Sequence, residues 1–404
     1  MQAAQDNNEG QTVTLTSQCL CKAHTFTASV PASSLPIDAS CCHCTSCRHS
    51  TGAMHSMDID WPGPTDDIYK SDLRRFDFTS KVKILFCGTC GTPMFFECRY
   101  EGPDGPVATG VFSGTLANTA HPNLIHITDH IFVGDTVDGG ASMWLRHPNA
   151  DGTPAKRWTA GKGTSPELPA DWSSSAPPSS PPQGPIEVPI WCKCRGVNFV
   201  LRPDFSSLPK DAALPFFVDP ESKKLLTSFD ACDSCRLAFG ADIVNWTFAL
   251  LQHIHFADSP SSDPETKKFP QTAAELKKAV SAAPPGEDRD PRLGTLALYE
   301  SSPGAQRYFC GRCSASVFYG CDSRQDMVDV AVGVLEGPGG GAARAEEVLA
   351  WSYGGKMTWR QDVVGGWREG LVQAVEGEAE EFRVGRGLPV NFRRKIKEAN
   401  ERKG

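Results

Sequence analysis

The sequence predicts a mainly β protein built as two tandem copies of one cysteine-clamped domain, joined by a Pro/Ser-rich linker. Three observations carry that prediction. Segments inside each half alternate apolar and polar residues and are rich in β-branched side chains, the pattern of short strands on a pleated, half-buried surface. The 16 cysteines of the 404-residue chain fall in close pairs and triplets rather than evenly. The order of those clusters then repeats, which marks an internal duplication.

Taken in chain order, TVTLTSQCLCKAHTFTASV reads as two strands around Cys19 and Cys21. CHCTSC follows with Cys42, Cys44 and Cys47, and then KVKILF and TPMFF, two further strands on either side of the Cys87 and Cys90 knuckle, with Cys98 beyond. The first domain is placed at residues 11–159, and GTSPELPADWSSSAPPSSPPQGP within 160–186 is an extended linker, because Pro and Ser resist helix and central strand. The second domain, 187–375, repeats the order with Cys192 and Cys194, then Asp230, Cys232 and Cys235, then Cys310, Cys313 and Cys321. Arg48 and Gly52 follow the first triplet at the offsets at which Arg236 and Gly240 follow the second, while Phe86 and Phe95 match Phe309 and Phe318. The second copy carries a surface insertion at 257–291 with a short helix expected around Ala273 to Ala282. AEEVLAWS has a helical period, and residues 376–404 read as a charged, partly helical, solvated tail.

Composition narrows the function classes. With 40% hydrophobic and 22% charged residues the chain is globular, which excludes a disordered or fibrous protein. Forty Lys and Arg against 48 Asp and Glu give a net charge of -8 with no basic block, so nucleic acid is not an expected partner. The opening is polar and no run approaches the roughly 18 apolar residues of a membrane span, so a soluble, cytoplasmic protein is expected. In a reducing compartment paired cysteines read as zinc ligands rather than as disulfides.

Two kinds of metal site are expected in each copy. Residues two apart on a strand face the same way, so Cys19 and Cys21 present two sulfurs side by side, and Cys87 and Cys90 on a tight CxxC turn complete a closed four-thiolate shell. Cys192, Cys194, Cys310 and Cys313 repeat it. Such a site is structural. Cys42, Cys44 and Cys47 supply three thiolates with an open position, the pattern of a reactive zinc, unless His43, His49 or His55 closes it. Three thiolates weaken the ion as a Lewis acid for water and favour a soft sulfur ligand, hence thiol chemistry. The second triplet has Asp230 in place of the first Cys, so Asp230, Cys232 and Cys235 either complete a second site or mark a lost one. Cys41 aligns with Phe229 and is read as a small core residue; Cys98 and Cys321 are read the same way. Arg48 and Arg236 either bind a substrate carboxylate or offset the thiolate charge. Gly52 and Gly240 are read as allowing a turn or close approach, and Trp61 and Trp246 as core aromatics.

With CxC, CxCxxC followed by Arg, a Gly five residues after the last Cys, and CGxC in this order, the chain resembles the family of glutathione-dependent formaldehyde-activating enzymes and centromere protein V. The resemblance covers roughly residues 11–145 and, more weakly, 187–360, with HITDHIFVGDTVDGGASMWL similar to the family's closing His-containing strand and Trp. It implies a Mss4-like fold of tent-like sheets, structural zinc at Cys19, Cys21, Cys87 and Cys90, and catalytic zinc at Cys42, Cys44 and Cys47. The implied activity is that of a carbon-sulfur lyase, exemplified by reversible joining of glutathione and formaldehyde to S-(hydroxymethyl)glutathione. A substrate thiol would enter at or beside the open position and attack an aldehyde carbon to give a hemithioacetal. The alternative reading is a non-catalytic, zinc-stabilised binding scaffold. Asp230, Ser314 in place of Gly91, and the absence of the His-containing strand set the second copy apart.

Overall fold

A computed structural model describes residues 11–99, 105–169, 172, 186–206, 213–257, 268–282, 289–338 and 342–401. Most of the expected linker, and residues 258–267 and 283–288 of the expected insertion, lie outside the described residues.

Strands dominate. The chain opens with β1 (Thr12–Gln18) and β2 (Thr25–Pro31), an antiparallel hairpin in which Leu15 pairs with Ala28 on the buried face. β3 (Ile37–Cys42) ends on the first triplet, α1 (Thr45–Thr51) carries the rest of it, and β4 (Ser56–Asp60) returns alongside β3. After α2 (Asp66–Lys70) come β5 (Arg74–Asp77), β6 (Val82–Phe86), β7 (Pro93–Arg99), β8 (Val107–Phe112) and β9 (Ile125–Ile131). Short β10 (Lys156–Trp158) and β11 (Glu167–Leu168) extend the edge of a nine-stranded sheet ordered β11-β10-β9-β3-β4-β8-β7-β6-β5.

The rest of the chain traces the same path. β12 (Val188–Trp191) and β13 (Asn198–Leu201) form a hairpin like β1 and β2, followed by β14 (Leu225–Asp230), α3 (Asp233–Phe239), β15 (Val244–Leu250) and β16 (Ile254–Phe256). Next come α4 (Ala273–Ser281), β17 (Leu296–Ser302), β18 (Ala305–Cys310), β19 (Ser316–Cys321), β20 (Met327–Ala331) and β21 (Leu349–Trp351). Their seven-stranded sheet runs β21-β14-β15-β20-β19-β18-β17, so β9, β3, β4, β8, β7, β6 and β5 each have a counterpart in order. Directions agree too: β3 pairs parallel with β9 and β14 parallel with β21, while the remaining neighbours within the seven shared strands are antiparallel. Even the register shift before the knuckle recurs, at Leu85/Phe86 and at Tyr308/Phe309.

One contiguous apolar core runs through both halves, from Leu15 to Phe382. The halves meet reciprocally. Gly114 N–H donates to the Gly240 carbonyl at 3.2 Å, and Gly333 N–H donates to the Gly52 carbonyl at 2.8 Å. Gly52 and Gly240 end α1 and α3 at φ of +87° and +65°, a left-handed backbone that glycine adopts without strain. Each is also pressed against the other half, since a Cβ on Gly52 would lie 2.4 Å from the Ser316 carbonyl oxygen.

Two segments differ from the sequence expectation. AEEVLAWS is not helical: Leu349–Trp351 is β21, held parallel to Leu225–Thr227, because Trp351 is needed beside Trp144 and Phe229 in the core. Tertiary packing overrides a local period of that length. Residues after 376 are not a solvated tail either. They continue α5 (Arg368–Gly385), whose Leu371, Val372, Val375, Ala379 and Phe382 are buried, with Phe382 against Trp144 and Tyr353. α6 (Phe392–Glu401) follows. The helix expected near Ala273 is α4, its N-terminus capped by the Thr272 hydroxyl accepting from Glu275 N–H. No helix among the described residues is long and apolar enough to cross a membrane.

Candidate metal centres

All sixteen cysteines are free thiols, and fourteen donor groups gather into four clusters. Cys19, Cys21, Cys87 and Cys90 form the first, with Sγ···Sγ separations of 3.6 Å for Cys19–Cys21 and 3.5 Å for Cys21–Cys87. Cys192, Cys194, Cys310 and Cys313 form the second, with 3.5 Å for both Cys192–Cys194 and Cys194–Cys310. A tetrahedral ion bound at about 2.3 Å would set its sulfurs about 3.8 Å apart, so both donor sets fit a metal ion of that kind. Each clamps a hairpin turn to a knuckle far along the chain. The knuckle turns at Gly91 (φ +78°) and Ser314 (φ +68°); the serine takes the left-handed backbone of the glycine it stands for, its hydroxyl donating to the Cys313 carbonyl at 2.5 Å.

Cys42, Cys44 and Cys47 form the third cluster, all three sulfurs within 4.8 Å of one another. β3 delivers Cys42 and the start of α1 delivers the other two, with Cys44 as N-cap accepting from Cys47 N–H at 3.2 Å. Cys44 and Cys47 are half-buried and Cys42 is 9% exposed, so the open side is theirs. The Cys42 and Cys47 thiols donating to Cys44 bring its thiol down to about 3, whereas Cys42 and Cys47 are pushed up. Three sulfurs thus share one negative charge, an arrangement that a divalent cation relieves. No fourth His, Cys, Asp or Glu donor joins the group among the described residues.

The histidines considered as closing ligands are engaged elsewhere. His49 Nδ1 donates to the Trp191 carbonyl at 2.6 Å, and its ring stacks on Trp191 at 3.4 Å. His43 turns inward. His130, on β9, donates from Nε2 to the Leu145 carbonyl at 2.6 Å, which leaves its Nδ1 to accept from His43 Nε2 at 3.0 Å. The His55 ring lies 5.4 Å from that of His43. Burial holds these rings neutral, taking His49 and His130 to about 3 and His55 to about 4. His130 is a partner that spacing around the triplet does not reveal, since it lies on a strand 87 residues further along.

Asp230, Cys232 and Cys235 form the fourth cluster, also within 4.8 Å. Asp230 accepts from Cys232 N–H at 2.8 Å, and its burial pushes its carboxyl up to about 7. The Cys235 thiol brings Cys232 down to about 6. Arg307 donates from Nη1 to Cys235 Sγ at 3.6 Å. Nothing in the spacing pointed to it.

The remaining singled-out residues divide. Arg236 reaches the first half, donating to the Gly114 and Leu116 carbonyls at 2.7 and 2.9 Å, and Arg48 is buried beside Thr45 at 3.4 Å; neither hydrogen-bonds a cysteine. Cys41, Cys98, Trp61 and Trp246 are buried as expected. Cys321 is not a core residue: it is partly exposed and accepts from Arg324 Nε at 3.1 Å.

With this geometry in place, the comparisons with known proteins bear on the first half. Residues 14–135 match the family model for glutathione-dependent formaldehyde-activating enzyme. The matched span contains the first and third clusters entire, Cys19, Cys21, Cys87 and Cys90 together with Cys42, Cys44 and Cys47. No curated protein and no solved structure matches the chain.

Proposed function

We propose that the chain is a zinc-dependent carbon-sulfur lyase acting on thiol-aldehyde adducts, similar to S-(hydroxymethyl)glutathione synthase, with its chemistry at Cys42, Cys44 and Cys47. The observation that carries this reading is the three-cysteine cluster with no fourth donor among the described residues, inside the segment that matches the formaldehyde-activating family. The one-for-one strand correspondence supports reading residues 11–159 and 187–375 as two copies of one domain, the second diverged. The two four-cysteine clusters are then structural zinc sites.

A zinc ion at the triplet supplies Lewis acidity that favours the thiolate form of an incoming thiol. The chain supplies the rest. Cys42, the least exposed of the three, anchors the triplet to β3, and Cys44 and Cys47 face the side from which a substrate thiol and an aldehyde approach. His43 and His130 are committed to each other and to the Leu145 carbonyl, so they hold the strand pair β3–β9 in place behind the cysteines and stay neutral. The Trp191–His49 stack fixes α1 from the other half. In the synthetic direction the thiol sulfur forms a bond to the aldehyde carbon, and the carbonyl oxygen takes up a proton.

The test is Cys44→Ser. Formation of S-(hydroxymethyl)glutathione from glutathione and formaldehyde, zinc per chain and thermal unfolding are measured for wild type and variant. Loss of turnover and of one zinc ion, with an unfolding temperature close to that of wild type, is the expected outcome. Equal turnover in the variant, or a wild type without this activity on any thiol-aldehyde pair, overturns the reading.

A further inference from the structure

The fourth cluster differs from the third in what faces its sulfurs. In the first half, Ile84, Phe96 and Gly110 form a cross-strand row on β6, β7 and β8, Ile84 opposite Phe96 and Phe96 opposite Gly110. The row is apolar, and a Cβ on Gly110 would lie 2.2 Å from the Phe96 ring. The corresponding row on β18, β19 and β20 is Arg307, Tyr319 and Asp329, Arg307 opposite Tyr319 and Tyr319 opposite Asp329. Three facing positions have changed together, from aliphatic, aromatic and nothing to cation, phenol and carboxylate.

Arg307 is 8% exposed. Its Nη1 donates to Cys235 Sγ at 3.6 Å, its Nε to Ser301 Oγ at 3.1 Å, and its guanidinium lies 5.2 Å from the centre of the Tyr319 ring. A guanidinium stays protonated in a protein, and an enclosed cation is stable only beside negative charge. The cluster therefore carries a built-in counter-charge on the buried sulfur. The third cluster has no guanidinium hydrogen-bonded to a sulfur among the described residues: the buried Arg48 lies near Cys44 but donates to Thr45, and Ile84 stands at the position corresponding to Arg307. The two sulfurs are also unlike in access, Cys232 being partly exposed and Cys235 buried.

We propose that Cys232 and Cys235 are a metal-free dithiol that exchanges with low-molecular-weight disulfides, Arg307 taking the electrostatic place that a metal ion would take at the first triplet. Cys232, the accessible sulfur, attacks one sulfur of a disulfide RSSR as thiolate; the Cys232–SR bond forms, the RS–SR bond breaks, and the departing RS takes a proton. Cys235, within 4.8 Å, then attacks Cys232 Sγ and releases the second RS, which is protonated in turn. Two protein thiols are oxidised to one disulfide and one small disulfide is reduced to two thiols, the two protons passing to the products. Arg307 steadies the negative charge on Cys235 as it attacks. A CxxC pair with one open and one buried sulfur is the arrangement that thiol-disulfide exchange requires.

The experiment uses the full chain purified without chelator and glutathione disulfide as the probe. After incubation the native protein is alkylated with iodoacetamide, denatured and digested with trypsin, and zinc per chain is measured before and after. The tryptic peptide Leu225–Arg236 contains Cys232 and Cys235 and no other cysteine. The expected result is that this peptide is freely alkylated before oxidation, resists alkylation afterwards and is then two hydrogens lighter, with zinc content unchanged. Cys235→Ser should trap a stable glutathione adduct on Cys232. A peptide shielded from alkylation until a chelator removes zinc overturns the proposal, as does oxidation accompanied by zinc release, or a peptide that stays reduced throughout. The wild-type measurement decides without any variant having to fold, and it is independent of turnover at Cys44.

Discussion

Arg368 is the substitution from which the joint between the two halves can be judged. Its side chain is 0% exposed and that of its partner Asp242 is 2% exposed. Nε donates to Asp242 Oδ1 at 2.6 Å and Nη2 to the Ser113 carbonyl at 2.6 Å, while Ser113 Oγ donates to the other Asp242 oxygen at 2.5 Å. One guanidinium thus joins the first turn of α5, the loop after β8 and the loop before β15. Burial lowers its pKa to about 10, so it remains charged at neutral pH. Arg368→Met keeps the volume and removes the charge, leaving the Asp242 carboxylate buried with the Ser113 hydroxyl as its remaining side-chain partner. Removing one member of a buried ion pair costs about 3–5 kcal/mol, mostly from the stranded charge. The added substitution Asp242→Asn removes that charge and should recover about half of the loss or more. Urea unfolding followed by tryptophan fluorescence, with Trp367 next in sequence as a local reporter, measures all three proteins. A single variant within about 0.5 kcal/mol of wild type would refute the argument, because a surface position behaves in that way.

Four further outcomes follow from the geometry. Gly114→Ala places a Cβ 2.2 Å from Ala241 N and 2.3 Å from Gly240 C, backbone atoms that cannot rotate away, and should cost more than about 2 kcal/mol in urea unfolding. Gly377→Ala, inside α5 with nothing within 4 Å of its new methyl, should instead stabilise by about 0.5–1 kcal/mol. His55 and His130, held at about 4 and about 3 by burial, lie below the roughly 6.5 of an unfolded chain, so their contribution is complete above pH 6.5. That stability is lost as pH falls toward the folded values, at about 1.4 kcal/mol per unit for each ring, and imidazole proton shifts that titrate near 6.5 in the native protein would contradict it. If the two four-cysteine clusters hold metal as proposed, chelation that empties them should collapse the tertiary signal of both halves, since each cluster ties a hairpin to a knuckle about 70 or more residues away; a near-ultraviolet spectrum that survives complete metal removal would show that packing alone suffices.

Cysteine spacing made the clusters legible because ligand geometry is local at each end: two residues apart on a strand for Cys19 and Cys21, two residues between sulfurs on a turn for Cys87 and Cys90. The repeat then carried topology along with it, since seven strands in one sheet order have counterparts in the other. What stayed hidden was set by partners distant in sequence. Leu349–Trp351 has a helical period but is a strand because β14 offers it an edge and Trp144 a neighbour. The acidic stretch after residue 376 reads as solvated, yet its sparse apolar residues fall at the spacing of one helix face, and the aromatic group around Trp144 receives Phe382. Arg307 is legible in the alignment of KVKILF with AQRYFC, where Ile84 meets an arginine, but strand alternation alone does not reveal that its side chain reaches Cys235.

The two triplets show how one scaffold can hold a group of buried sulfurs in two ways. Sulfurs packed within 4.8 Å share negative charge, and the interior must answer it with a cation or keep the thiols protonated. At Cys42, Cys44 and Cys47 burial keeps His43, His55 and His130 neutral, and the buried Arg48, near enough to Cys44 to feel its charge, donates to Thr45 and not to a sulfur. An external ion would supply the direct countercharge, and an ion held by three groups keeps a position for substrate. At Cys232 and Cys235 the chain itself supplies the cation, and with it the reason to keep an ion there weakens. A second, separate difference accompanies Arg307: Asp230 stands where the first triplet has Cys42, and its carboxyl is turned to the Cys232 backbone N–H. Loss of a sulfur and gain of a guanidinium are two differences on two sides of the cluster, so Arg307→Ile alone should leave the fourth cluster short of charge rather than restore the third cluster's behaviour.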